Sequence, residues 1–196
     1  MMRLLFTAVV IVPLAACGSS QPTVKATNAS VAEVQAKVSA ATGDKAIVRP
    51  GRWEGTMTMH DMQMSGLPSE VQRQVTARMS EPHPFASCVT PEDVKNNRGF
   101  FTGAQAKYCT YEHFTLRGGK IDAAMTCKNP VGVMRATMAG EYTPERYHFN
   151  MHASVEPQGA PGATGQKMTI TIDGKRTGAC RGDEQGPAGA TAHRRP

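Results

Sequence analysis

Residues 108–127, YCTYEHFTLRGGKIDAAMTC, read as two strands folded about Gly118-Gly119. A two-residue primed turn needs positive φ at both central positions, which a Gly-Gly pair supplies without steric cost. That turn sets Leu116 opposite Ile121 and Phe114 opposite Ala123, so one face of the ribbon is apolar. In the same register Cys109 faces Lys128 and Cys127 faces Thr110, which sends the two thiols to opposite faces unless a bulge intervenes.

Similar ribbons lie on either side. A turn at Thr143-Pro144-Glu145-Arg146 brings Met134, Ala136 and Met138 towards Tyr147, Phe149, Met151 and Val155. A third turn is expected at Asp173-Gly174, joining Met168, Ile170 and Ile172 to the segment Arg176–Cys180. Upstream, Trp53, Gly55, Met57 and Met59 alternate with Arg52, Glu54, Thr56 and Thr58, the period of a half-buried strand. Helices interrupt the strands. Val71, Val75 and Met79 recur at helical spacing after Pro68, and Thr90 with Pro91 at the first helical position opens a shorter helix. The expected fold is mainly β: a curved or partly closed antiparallel sheet, a meander of hairpins, with one or two short helices.

The chain opens with Arg3, an apolar run from Leu4 to Leu14, and Leu14-Ala15-Ala16-Cys17. The run is too short to span a bilayer, which takes about 20 apolar residues, and has the length of a secretory signal. Its end resembles the lipobox of bacterial lipoproteins, which implies removal of residues 1–16 and acylation of Cys17. In similar enterobacterial lipoproteins Gly18, rather than Asp, after the cysteine favours the outer membrane over the inner. Residues 17–48 then read as the lipidated N-terminus and a flexible tether, with a short helix where Ser30 and Glu33 have capping-box spacing and Val31, Val34 and Val38 share a face. The disulfide-bonded domain is expected over 49–181. A disordered Gly-, Ala- and Pro-rich tail follows over 182–196, across the tripeptide Arg181-Gly182-Asp183.

Setting Cys17 aside, four cysteines remain: Cys88, Cys109, Cys127 and Cys180. Four thiols in an exported chain read as two disulfides, and none has the close spacing of a zinc site. The register leaves Cys88–Cys109 with Cys127–Cys180, or Cys88–Cys127 with Cys109–Cys180. The first is preferred because it closes the shorter loops.

The segments Pro50-Gly51-Arg52-Trp53-Glu54, Cys88-Val89-Thr90-Pro91-Glu92, Gly140–Tyr147 and Gly178-Ala179-Cys180 together resemble the landmarks of the family called domain of unknown function 3617. The resemblance covers about residues 49–181 and implies an exported bacterial domain with a cysteine framework. It implies no activity.

For chemistry, the segment 57–64 places His60, Met62 and Met64 two residues apart. These are soft or borderline donors that suit Cu(I) if they share one strand face. Methionines at apolar strand positions are better explained as core filler, so no metal is favoured. His148, Asn150 and His152 fall on the face opposite Phe149 and Met151 and read as solvated. Two imidazoles four residues apart on a strand stand about 13 Å from each other and cannot share one metal. There is no G-x-S-x-G elbow and no thiol-redox motif. The net charge of +6 is scattered, without the basic stripe and interleaved aromatics of a nucleic-acid binder. The expectation is a non-catalytic envelope lipoprotein, bound to a membrane through its lipid, needing no cofactor and serving binding or scaffolding. Copper binding through residues 57–64 is the alternative.

Overall fold

The computed structural model describes residues 22–43, 47–95, 106–130, 132–158 and 165–184. The signal segment 1–16, Cys17 and residues 185–196 lie outside the described residues.

Eight strands form one open antiparallel sheet. In chain order they are β1 (Val24–Ser30), β2 (Gly51–Met64), β3 (His83–Val89), β4 (Cys109–Arg117), β5 (Lys120–Asn129), β6 (Gly132–Thr143), β7 (Arg146–Pro157) and β8 (Gln166–Gly178). Three helices accompany them: α1 (Val31–Thr42), α2 (Ser69–Met79) and the five-residue α3 (Pro91–Lys95). The strand order is β1-β4-β5-β6-β7-β8-β2-β3, so β4 to β8 form a meander, β2 docks on β8, and β1 and β3 are the edges. Pro84 sits in edge strand β3, where a missing N–H costs no ladder bond. The expected mainly β antiparallel meander is what forms, with helices at the three places where the sequence carries helix signals.

Two of the three turns read from the sequence hold. Gly118 and Gly119 have φ of 58° and 77°, and Leu116 faces Ile121 as Phe114 faces Ala123. Tyr142 faces Tyr147 across the Pro144-Glu145 turn. The third does not form, because β8 runs straight through Asp173-Gly174. Gly174 instead lies opposite both Tyr147 and Gly55, and a Cβ there would sit 2.2 Å from Cζ of Tyr147. The glycine makes room for an aromatic ring rather than for a turn.

The N-terminal segment requires the largest correction. Residues 24–42 belong to the sheet and its core, not to a tether. β1 pairs with β4 from Val24 opposite Leu116 to Ser30 opposite Thr110. Ser30 then caps α1, its Oγ accepting the Glu33 N–H at 3.1 Å. The face carrying Val31, Val34 and Val38 is the expected one, and it is buried against the sheet, Val34 and Val38 completely. A helix of this length is marginal alone in water, so packing on β1 and β4 is what holds it. The core it joins runs through Phe114, Leu116 and Ile121 to Trp53 and Phe149.

The other two helices follow their signals. Thr90 Oγ1 accepts the Asp93 N–H at 3.0 Å and Asp93 accepts the Thr90 N–H at 3.0 Å, a reciprocal cap on α3. Helix α2 forms after Pro68, lies against β2, and buries none of its own residues fully.

The disulfides are Cys88–Cys180 and Cys109–Cys127, neither of the two pairings expected. The bulge needed to align Cys109 with Cys127 is present. Between Tyr111–Met125 and His113–Ala124, β4 spends one residue more than β5, so Glu112 has no partner on β5. That extra residue shifts the register by one and sets Cys109 directly opposite Cys127. Asn28 of β1, at φ 50°, lies across from the same kink. Cys180 reaches Cys88 because the chain, leaving β8 at Gly178, crosses the start of β2 to edge strand β3.

The domain also runs past its expected end. Arg52 is buried, and its guanidinium binds Glu54 at 2.7 Å, Asp183 at 2.7 Å and Glu184 at 3.0 Å. The Asp of Arg181-Gly182-Asp183 is therefore tied to Arg52, and the described chain is folded as far as Glu184.

Candidate functional site

Alternation along the strands gives the sheet an apolar and a polar face, and candidate chemistry lies on both. On the apolar face, Trp53, Tyr147 and Phe149 form a continuous stack, with centroids 5.3 Å and 5.1 Å apart. Trp53 Nε1 donates to the carbonyl of Arg49 at 3.0 Å, which satisfies the one polar group of that ring. Burial, reinforced by the Asp173 charge, pushes the Tyr147 phenol up to about 12, so it stays neutral at any ordinary pH.

Beyond this stack the register brings Met57, Ile172 and Phe149 into one row, and Met59, Ile170, Met151, Met138 and Ala123 into the next. Met57, Met59, Met138, Met151, Ile170 and Ile172 are all only half-buried. Among the described residues α1 makes its main contacts with β1 and β4, and α2 with β2. Four adjacent strands spaced about 4.8 Å apart make a methionine-rich field roughly 15 Å across.

On the polar face, His148 Nδ1 lies 2.7 Å from Asp173 Oδ1, and His148 Nε2 lies 3.2 Å from the Asn150 amide nitrogen. Thr171 Oγ1 donates to Asn150 Oδ1 at 3.0 Å. The chain is chemically consistent with a proton on Nδ1 donated to Asp173 and with Nε2 accepting from Asn150. Both ring nitrogens are thus occupied. The pair is half-exposed, so it contributes little to stability. His152 Nδ1 lies 3.0 Å from Thr169 Oγ1, and His113 Nε2 lies 2.7 Å from Asp122. A shallow depression of about 600 Å³ opens beside His148 and Asp173, walled by Glu54, Glu141, Arg146 and Lys175.

The candidate copper donors are not brought together. Asp61, at φ 49°, belongs to a bulge in which residues 61 and 62 together face Met168. Without it His60, Met62 and Met64 would share a face. With it His60 stays exposed on the polar face, while Met62 turns to the apolar side and is buried beneath α2, its carbonyl accepting from Thr76 Oγ1 at 3.3 Å. No group of three or more His, Cys, Asp or Glu side chains could hold a metal ion among the described residues. His148 and His152 share the polar face as expected, in separate hydrogen bonds. The methionine field was not singled out from the sequence as a site; the signal for it is methionine at successive apolar positions of β2, β6, β7 and β8.

Residues 48–180 match one family description, "Protein of unknown function (DUF3617)". The chain belongs to the DUF3617 family. The match begins at Val48 and ends at Cys180, so β1 and α1, which complete the core, and the Arg52-bound Asp183 and Glu184 all lie outside the DUF3617 segment. No curated protein and no solved structure matches the chain. The two disulfides suggest an extracytoplasmic protein, since such bonds form and persist in oxidising compartments. No helix among the described residues is long and apolar enough to cross a membrane.

Proposed function

We propose that this DUF3617 protein is a lipoprotein of the cell envelope, anchored through acylated Cys17, whose domain binds an apolar ligand and catalyses no reaction. The observation that carries the reading is the contiguous field of half-buried Met57, Met59, Met138, Met151, Ile170 and Ile172 on adjacent strands β2, β8, β7 and β6. Apolar surface left open to water costs free energy, and contiguous patches of it mark interaction sites. Methionine suits the role because an unbranched, polarisable side chain repacks around ligands of different shape.

The test uses a fatty acid carrying a polarity-sensitive fluorophore, titrated with the full mature protein. Saturable binding with a blue-shifted emission is expected, and Met151→Glu with Ile170→Glu should abolish it while the near-ultraviolet circular dichroism of the Trp53 stack is retained. Absence of saturable binding by the parent protein, or unchanged binding by the folded double variant, refutes the assignment.

A further inference from the structure

With β1 built into the sheet, only residues 18–23 separate Cys17 from Val24. Fully extended, that connection spans at most about 25 Å. Strands of 12 to 14 residues, such as β2, β6 and β7, run roughly 40–45 Å. An anchor this short fixes which end of the sheet meets the bilayer. Val24 pairs with Leu116, so the anchored end is the one bearing the Gly118-Gly119 and Pro144-Glu145 turns.

Scattered in sequence, the cations at this end are gathered by the fold. Arg117 and Lys120 flank the first turn, Arg146 closes the second, and Lys25 stands on β1 opposite Thr115, two residues from Arg117. Lys175 lies opposite Arg146. All five are exposed. The carboxylates near them already have basic partners: Glu141 binds Lys120 at 3.2 Å, Glu145 binds Arg49 at 2.9 Å, and Asp122 and Asp173 hold His113 and His148 at 2.7 Å each. Lys25, Arg117, Arg146 and Lys175 are left without an ion pair among the described residues. The carboxylates around Arg52 on β2 are paired with it, Glu54, which lies opposite Lys175, at 2.7 Å, Asp183 at 2.7 Å and Glu184 at 3.0 Å. At the other end of the sheet, the turns at 65–68 and 129–132 contain no charged residue.

We propose that the end of the sheet carrying the 117–120 and 143–146 turns docks on an anionic phospholipid surface, with Lys25, Arg117, Arg146 and Lys175 set against the headgroup phosphates. This orientation rests on the acylation of Cys17 proposed above, but the cationic surface does not. The anchor holds the cations near the bilayer, and screening over about 8 Å at physiological ionic strength requires them to approach it closely to be felt. Each such cation strengthens attachment about fivefold on an anionic membrane.

The experiment uses the chain from residue 17 onward bearing Cys17→Ser, which retains every described residue and carries no acyl group. Its cosedimentation is measured with phosphatidylglycerol–phosphatidylcholine vesicles and with pure phosphatidylcholine vesicles. Binding to the anionic vesicles alone, weakening with salt, is expected. Arg117→Gln with Arg146→Gln should cost about 25-fold, and Lys128→Gln with Lys167→Gln, at the opposite end, should cost nothing. If the first pair does not fold, Lys25→Gln alone should still cost about fivefold. Equal binding to both vesicle types, equal loss from the two pairs of substitutions, or retention by cell-wall polymer in place of vesicles overturns the proposal. Because the tested protein has no lipid, these outcomes are separate from whether Cys17 is acylated, which the mass of the native protein decides.

Discussion

Replacing Val34 by Ala decides whether residues 24–42 are part of the domain. Val34 has no accessible surface, on a helix whose other inward residues, Val31 and Val38, are buried with it. The substitution removes two methyl groups, a transfer loss of about 1.6 kcal/mol. The hole left behind adds up to about 1 kcal/mol if the surrounding side chains do not collapse into it. Alanine is the better helix former by about 0.5 kcal/mol, which offsets part of that. The net loss is about 2 kcal/mol, which for a domain of this size lowers Tm by roughly 4–8 °C. Differential scanning calorimetry of the disulfide-intact protein measures it, with Ala36→Ser on the exposed side of α1 as the control, expected within about 0.5 kcal/mol of the parent. In a flexible tether neither substitution would register. A Tm for Val34→Ala equal to that of the parent, or an equal fall in both variants, refutes the placement of α1 in the core.

Deleting Glu112 takes out the bulged residue and leaves Tyr111 opposite Met125 and Cys109 opposite Cys127, so the Cys109–Cys127 bridge should still close and keep its contribution of about 3 kcal/mol for its 18-residue span; non-reducing peptide mapping checks this, and a bridge that fails to close would show the register argument to be wrong. Glu184 is held down at about 2 by the Arg181 and Gly182 N–H groups and by Arg52, against 4.5 for the free group. A depressed carboxyl stabilises the fold above its unfolded pKa, so the Tm advantage over Glu184→Gln should be complete above pH 4.5 and should vanish as the pH falls to about 2. An advantage that persists unchanged at pH 2 contradicts that linkage.

The features legible in the sequence were those that a local rule dictates. Gly118-Gly119 fixed one hairpin and its register because both residues need positive φ, and Ser30 and Thr90 marked helix starts through the N–H groups they cap. The bulges at Glu112 and Asp61 were not legible, since an extra residue that is not glycine leaves no mark in composition. Those two bulges alone decide the disulfide pairing and the separation of His60 from Met62. Gly174 misled because the glycine of a turn and the glycine beneath a tyrosine ring look alike until the neighbouring strand is known. The valine face of α1 could be read, but not its burial, because burial belongs to the partner surface on β1 and β4. For the candidate site, the sequence placed His148 and His152 on the polar face. It could not say which helix covers which strand, and that decides which methionines remain half-open.

The central claim, an acylated and disulfide-bonded envelope protein, is tested most directly by the intact mass of the protein extracted from its native membrane. The expected species is a chain beginning at Cys17, heavier than the polypeptide by a diacylglyceryl group with or without a further acyl chain, and lighter by the hydrogens lost to two disulfides. A mass equal to the bare polypeptide, with Cys88, Cys109, Cys127 and Cys180 all open to alkylation before reduction, would contradict it.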